Sequence, residues 1–160
     1  MSEPHDIRLA RALRDIHVRF ARDAEGMMIA QMVHGSHEHV PHVGWEKVYP
    51  YWLLAEHQGE PVAAVQLCYS LPVGRLEFLS FIPGLSYRVR ALVVRSMLSL
   101  AMATLAKTGC HSVAGCVPFD QRSYRDILKA NGCEVLMSGN ILLHHVSRGD
   151  HVDDQRRHAH

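Results

Sequence analysis

The chain has 160 residues, 48% of them apolar and 21% charged, and its 17 basic side chains nearly balance the 16 acidic ones, for a net charge of +1. This length suits one domain with a sizeable core, and the composition excludes a wholly disordered or fibrous protein. The charge provides no broad basic field for a nucleic acid or an acidic membrane, so we expect neither as a partner.

Residues 1–15 predict a short amphipathic helix that precedes the domain as an appendage. The segment lacks the apolar core of a signal peptide, which predicts a cytoplasmic protein. The uncharged run from Ser96 to Ala106 is well short of the ~20 residues that span a bilayer, so we expect no transmembrane helix. The cysteines lack CxxC spacing, which predicts buried, reduced thiols at all four positions: Cys68, Cys110, Cys116 and Cys133.

The first predicted strand covers Ile16 to Phe20, where apolar residues alternate with polar ones. Asp23 is the predicted N-cap of a helix that ends near Gly35, with Glu25 suited to the dipole of its first turn. A histidine-rich loop then runs to residue 50, with one helical turn at 45–48.

Three strand patterns in succession predict an antiparallel meander. They cover residues 51–57, 61–70 and 75–83, joined by turns at 58–60 and 71–74.

The longest predicted helix covers residues 86–108, with Ser86 as its N-cap and Gly109 as its stop signal. Apolar residues occur around most of its circumference, which predicts a central, largely buried helix. The positions expected to face the sheet are Met97, Leu100, Ala101, Thr104 and Leu105.

The remaining segment predicts a strand at 111–119, a helix at 120–131 that ends before Gly132, and a hairpin at 133–146. Residues 147–160 have no apolar face and predict a disordered tail.

This order of elements resembles that of the GCN5-related N-acetyltransferase (GNAT) superfamily. Residues 16–33 are similar to its opening strand and Asp-capped helix, and 59–67 to its third strand with the turn before it. Residues 120–136 are similar to its closing segment, in which a helix ends at a Gly and the sixth strand begins. The resemblance covers residues 16–146. It implies an α+β fold, with a mixed, mostly antiparallel sheet flanked by helices, and acetyl-CoA as acetyl donor.

The resemblance implies that the start of the long helix holds the pyrophosphate of acetyl-CoA, because a helix N-terminus offers free N–H groups to an anion. The family has glycine where this chain has Ala91, and glycine or alanine where it has Val93. The alternative is a buried helix whose early arginines face solvent. The implied cofactor-binding residues are Phe81, Ile82, Leu85, Ser86, Tyr87, Arg88, Arg90, Ala91 and Val93.

Two residues resemble the family's catalytic groups. Glu77 matches a carboxylate of the fourth strand that deprotonates the acceptor amine, and strand alternation places it on one face with Leu79 and Phe81. The family's acid is a tyrosine at the position of Leu128, so Tyr124, one turn earlier on the same helix face, is the candidate substitute. The alternatives are an exposed strand Glu and an aromatic side chain packed on the core.

The histidine-rich loop borders the acceptor pocket in the family's fold. We therefore expect substrate-binding residues in or beside it, namely His37, His39, His42 and Trp45. Imidazoles also bind zinc or nickel, but this spacing fits no metal motif, and we expect no metal.

Two functions are compatible with these residues. One is an N-acetyltransferase that moves an acetyl group from acetyl-CoA to an amine of a small molecule or peptide. The other is a catalytically degenerate GNAT-like domain that serves as a binding or structural module, as a homodimer or within a larger assembly.

Overall fold

The computed structural model describes residues 15–37, 48–115 and 122–134, which form a five-stranded sheet with helices on both faces. The strand order is β1-β2-β3-β4-β5, antiparallel except for the parallel pair β4 and β5. The strands are β1 Ile16–Phe20, β2 Trp52–His57, β3 Glu60–Cys68, β4 Val73–Phe81 and β5 Ser112–Gly115. The helices are α1 Gly26–Ser36, α2 Tyr87–Lys107 and α3 Arg122–Ala130.

The predicted meander is confirmed, with a tighter first turn. Only Gln58 and Gly59 connect β2 to β3, and both have positive φ, 55° and 86°. Two left-handed residues in succession make the turn that matches the twist of a hairpin, and glycine adopts this conformation without steric cost. Glu60 therefore belongs to β3 rather than to the turn.

The start of α1 differs from the prediction. Asp23 opens a single 3-10 turn, Asp23–Glu25, and its carboxylate accepts the N–H groups of Val48 and Tyr49, both at 3.1 Å. The side chain that was expected to cap the helix thus fixes the entry to β2. The helix ends at Ser36, one residue beyond the predicted end.

The prediction for α2 is confirmed in its extent and cap. The Ser86 hydroxyl accepts the Val89 N–H at 3.3 Å, and Gly109 follows the helix with a φ of 90°. The prediction that the helix is largely buried is wrong: five of its 21 residues are buried, and Met102 is 48% exposed. Helix α2 is long and apolar enough to cross a membrane, but it packs against β1, β2, β3 and β5 as a core helix does.

The core forms two layers, one on each face of the sheet. Val93, Met97 and Ala101 of α2 pack with alternate residues of β2 and β3 on one face. Ile29 and Val33 of α1 pack with Leu54 and Ala64 on the other. Of the residues expected to face the sheet, Met97, Ala101 and Leu105 are fully buried, whereas Leu100 and Thr104 are half-buried.

The cysteine prediction holds only in part. Cys110 is buried and Cys68 half-buried, but Cys133 is exposed because it follows the end of α3 at the surface. Several predicted features lie outside the described residues: the leading helix, most of the histidine-rich loop, Cys116, the hairpin of 133–146 beyond residue 134, and the tail.

Candidate functional site

The edge of β4 is paired along only half of its length. Strand β5 pairs with β4 from Val73 to Leu76, and among the described residues no strand pairs with this edge further along. Beyond Leu76, a β-bulge interrupts the pairing with β3: three steps along β4, from Glu77 to Ser80, match two steps along β3. Phe78 lies within the bulge with a φ of 51°. A bulge bends its strand and redirects its side chains, so β4 changes course here. We call the part of β4 beyond Leu76 the free edge because no described strand pairs with it on this side.

Beyond the bulge, backbone groups of β4 point away from β3. Ile82 donates its N–H to Val62 O of β3 at 3.0 Å. Backbone groups of successive residues in a strand point to opposite sides, so those of Phe81 and Leu79 point away from β3. Tyr124 of α3 donates its hydroxyl to Leu79 O at 3.2 Å. The Ser36 hydroxyl lies 3.2 Å from Phe81 O and accepts the Phe81 N–H at 3.3 Å. Two helices thus supply hydroxyl groups to the free edge.

The bulge overturns the expected placement of Glu77. Glu77 pairs with Gln66, and strand alternation from Ala64 places it on the α1 face of the sheet. Leu79 and Phe81 pack with the α2 core on the opposite face. Glu77 therefore does not share a face with them, because the extra residue at Phe78 reverses the alternation.

The surroundings of Glu77 are polar rather than apolar. Its Oε1 lies 3.3 Å from Arg75 Nη1, and its side chain is 29% exposed. The pKa of the neighbouring Cys68 thiol rises to about 11, first through burial and then through the charge and hydrogen bond of Glu77. Cys68 thus stays protonated at neutral pH, and Glu77 is a carboxylate accessible from the α1 face.

Tyr124 reaches β4 from the other side. Its ring contacts Phe81 edge to face, with 5.7 Å between ring centres. Burial raises the pKa of Tyr124, and the smaller effect of the positive charge of Arg90 acts in the opposite direction. The phenol therefore keeps its proton and acts as a hydrogen-bond donor. Leu128, at the position of the family's tyrosine, is half-buried on the same helix.

The two arginines at the start of α2 occupy different environments. Ser86, Tyr87 and Arg88 are exposed at the helix N-terminus. Arg90 instead lies over Phe81, with its guanidinium carbon 5.5 Å from the ring centre, and its buried Nε has no hydrogen-bond partner.

The chain's departures from the family's glycine pattern leave the helix N-terminus open. Val93 is fully buried in the α2 core, so its side chain points away from any ligand at the helix start. The role of Val93 as a cofactor contact remains a prediction. Ala91, Ile82 and Leu85 are half-buried, and the latter two pack against the same core. The exposed residues 86–88 are therefore the part of the predicted cradle that an anion can reach.

His37 lies at the end of α1, beside the bulge. Its ring contacts Phe78 at 6.0 Å between centres, and its Nε2 is buried without a hydrogen-bond partner. Burial lowers the pKa of His37, partly offset by a backbone hydrogen bond with Leu79. The imidazole is therefore neutral at neutral pH.

The other predicted substrate-binding residues, His39, His42 and Trp45, lie outside the described residues. Within the described ranges, no group of three or more His, Cys, Asp or Glu side chains could hold a metal ion.

Sequence reasoning missed two features of this site. Ser36 is the last residue of α1, and nothing in its neighbourhood indicates a contact with a strand 45 positions away. The bulge carries no glycine, since the left-handed residue is Phe78. No local signal marks either feature, because both depend on how α1 packs against β4.

The same fold occurs in solved acetyltransferase structures. The structure of AAC(6')-Iy in complex with the bisubstrate analogue CoA-S-monomethyl-acetylneamine has a TM-score of 0.64 at 15% identity, over 81% of this chain and 97% of that chain. Diaminobutyrate acetyltransferase EctA from Paenibacillus lautus, in complex with its substrate and coenzyme A, has a TM-score of 0.57 at 14% identity, over 72% of this chain and 73% of that chain.

A third solved structure has a different description. A transcriptional regulator from Bacillus halodurans C-125 has a TM-score of 0.61 at 12% identity, over 81% of this chain and 99% of that chain. No family profile and no curated protein matches the sequence. At these identities the similarity shows the fold alone: a mixed, mostly antiparallel sheet flanked by helices, as in GNAT acetyltransferases.

Proposed function

We propose that this protein is an acetyl-CoA-dependent N-acetyltransferase that acts on the amine of a small molecule, with a peptide amine as the other acceptor class. The observation that carries the proposal is the free, bulged edge of β4, which adjoins the exposed N-terminus of α2. Two of the similar structures contain coenzyme A or a CoA-linked analogue together with a small amine or its analogue. Their acceptors support the small-molecule class.

The donor fits the residues at the start of α2. Its pyrophosphate would meet the free N–H groups of the helix and the exposed Arg88, both favourable for an anion. When bound, acetyl-CoA supplies a thioester carbonyl that an amine can attack. The outward backbone N–H groups of Leu79 and Phe81 are suited to polarise such a carbonyl, and the Phe81 N–H now bonds to Ser36.

Glu77 is the candidate base for the acceptor. An amine at neutral pH is mostly protonated, and only its neutral form attacks a carbonyl, so a base on the acceptor side increases the rate. Glu77 lies on the α1 face, opposite the face where Tyr124 contacts Phe81. On this proposal the acceptor binds on the α1 face and the donor on the α2 face. His37, neutral and next to the bulge, is the second candidate.

Isothermal titration calorimetry with acetyl-CoA and CoA tests the proposal. We expect binding to the wild type and weaker binding to Arg88→Glu, because that change places a negative charge beside the pyrophosphate. Arg95→Glu, at an exposed position two turns further along α2, is the matched control and should bind normally. Release of CoA thiol in the presence of a panel of diamines and amino sugars then tests turnover. Absence of heat and of a thermal shift at millimolar CoA would contradict the proposal.

A second candidate is a GNAT-like module without catalysis. Two observations favour it: Leu128 replaces the family's tyrosine, and the free edge of β4 already bonds to Ser36 and Tyr124. This candidate predicts either no CoA binding, or CoA binding without acetyl transfer to any amine in the panel.

A further inference from the structure

Arg90 is unusual among the arginines at the start of α2 because it points into the protein. Residues two positions apart on a helix differ by about 200° in direction, so Arg88 and Arg90 face opposite ways. Arg88 is exposed, whereas Arg90 lies over the Phe81 ring at the free edge of β4. Arg90 is half-buried, and its position beside Phe81 keeps one guanidinium nitrogen, Nε, away from water.

The described residues provide no anion for Arg90. None of their carboxylates forms an ion pair with it, and its Nε is buried with no hydrogen-bond partner. The titratable group that faces it from α3 is Tyr124, which is protonated and donates to Leu79 O. Glu77 and its partner Arg75 lie on the other face of β4. Among the described residues, Arg90 is therefore a positive charge without an anionic partner, and its Nε beside the free edge has no acceptor.

We propose that Arg90 stabilises the sulfur anion that acetyl transfer releases, so that it is a catalytic residue of the donor side. This inference rests on the proposed function. The acceptor amine forms a C–N bond with the acetyl carbon, and the C–S bond breaks with its electron pair kept by sulfur. The proton of the amine passes to the base on the α1 face. The negative charge on sulfur then pairs with Arg90 until solvent protonates it.

The chemistry of Tyr124 explains why a second group is needed. A phenol that holds its proton more tightly than a thiol does cannot transfer that proton favourably to a thiolate. Tyr124 is such a phenol, because burial raises its pKa. A guanidinium needs no proton transfer, since it stabilises the anion by charge and by N–H donors. This chain has Leu128 where the family has its acid, and Arg90 compensates for that loss.

The test measures the ionisation of bound CoA rather than turnover. The thiolate absorbs in the ultraviolet. Subtracting the absorbance of the desulfo-CoA complex from that of the CoA complex at each pH removes the contribution of the tyrosines. We expect the bound thiol of the wild type to ionise at a pH about one unit lower than that of Arg90→Gln, a roughly tenfold change in the acid constant. Arg90→Lys should retain part of the shift, and Tyr124→Phe should retain most of it.

Arg88→Gln is the matched control. It should weaken the binding of CoA and of desulfo-CoA alike and leave the thiol ionisation unchanged, because Arg88 faces the helix N-terminus. If wild type and Arg90→Gln both bind desulfo-CoA and their bound thiols ionise at the same pH, the role of Arg90 is overturned, but the proposed function is not. Failure of the wild type to bind desulfo-CoA and CoA would instead overturn the proposed function.

Discussion

One residue, Phe78, determines which face of the sheet Glu77 occupies relative to Leu79 and Phe81. A non-glycine residue with a φ of 51° costs energy, and the strand adopts it because the surrounding packing compensates. Its ring joins the α1 core and contacts His37, while the extra residue moves Glu77 to the α1 face. The same bulge therefore places Glu77 on the opposite face of the sheet from Leu79 and Phe81.

Glu77→Gln should retain CoA binding and lose most turnover at pH 7, because it keeps the shape of the side chain and removes the basic oxygen. General-base assistance is worth about 10²–10⁴-fold, and some rate should return at higher pH as free amine becomes abundant. Steady-state kinetics from pH 6 to 9 measures this, with Glu60→Gln on the exposed hairpin as control. Equal turnover of wild type and Glu77→Gln would leave His37, His39 or His42 as the base.

At the scale of the element, α2 is divided into two faces. Its buried residues Val93, Met97, Ala101 and Leu105 recur every three to four positions, as expected for one stripe facing a sheet. Leu105 packs so closely on Gly74 of β4 that a methyl group there would lie 2.7 Å from its Cδ1. The helix is thereby fixed against the strand that carries the site.

Leu105→Ala should destabilise the protein by about 2–5 kcal/mol, because it empties a fully buried position. Leu100→Ala on the same helix should cost less, because Leu100 is half-buried and water can reach part of the space it leaves. Urea unfolding of both variants, with unchanged m-values, provides the comparison. An equal or larger cost for Leu100→Ala would show that the buried stripe is assigned incorrectly.

At the scale of the whole molecule, an ion-pair network joins segments that are distant in sequence. The Arg19 guanidinium of β1 lies 2.6 Å from the carboxylate of Glu25 in the 3-10 turn and 2.7 Å from that of Glu56 in β2. Hydrogen bonding to Arg19 lowers the pKa of Glu25 to about 2 and also lowers that of Glu56. The network thus fixes the start of α1 to the edge of the sheet.

The depressed pKa of Glu25 predicts how stability depends on pH. Because the folded pKa lies below the value of 4.5 for the free group, the stabilisation is complete above pH 4.5 and is lost as the pH falls toward 2. Glu25→Gln should cost about 1 kcal/mol at pH 7 and show a shallower loss of stability below pH 4.5. Thermal unfolding between pH 3 and 7 tests this, and parallel pH profiles for the two proteins would contradict it.

The sequence by itself determined the order of the elements from β1 to α3, the meander and the cap of α2, because each depends on local patterns. Alternation, the Gln58-Gly59 turn and the Ser86 cap are properties of a few neighbouring residues. The order of elements was enough to predict the fold.

Only the tertiary structure decided which face each site residue occupies. The bulge at Phe78 reversed the predicted side of Glu77, and the turn of α2 separated Arg90 from Arg88. The contacts of Ser36 and Tyr124 with β4 each join residues 45 positions apart. Such features arise from packing between distant segments, which no pattern of adjacent residues encodes.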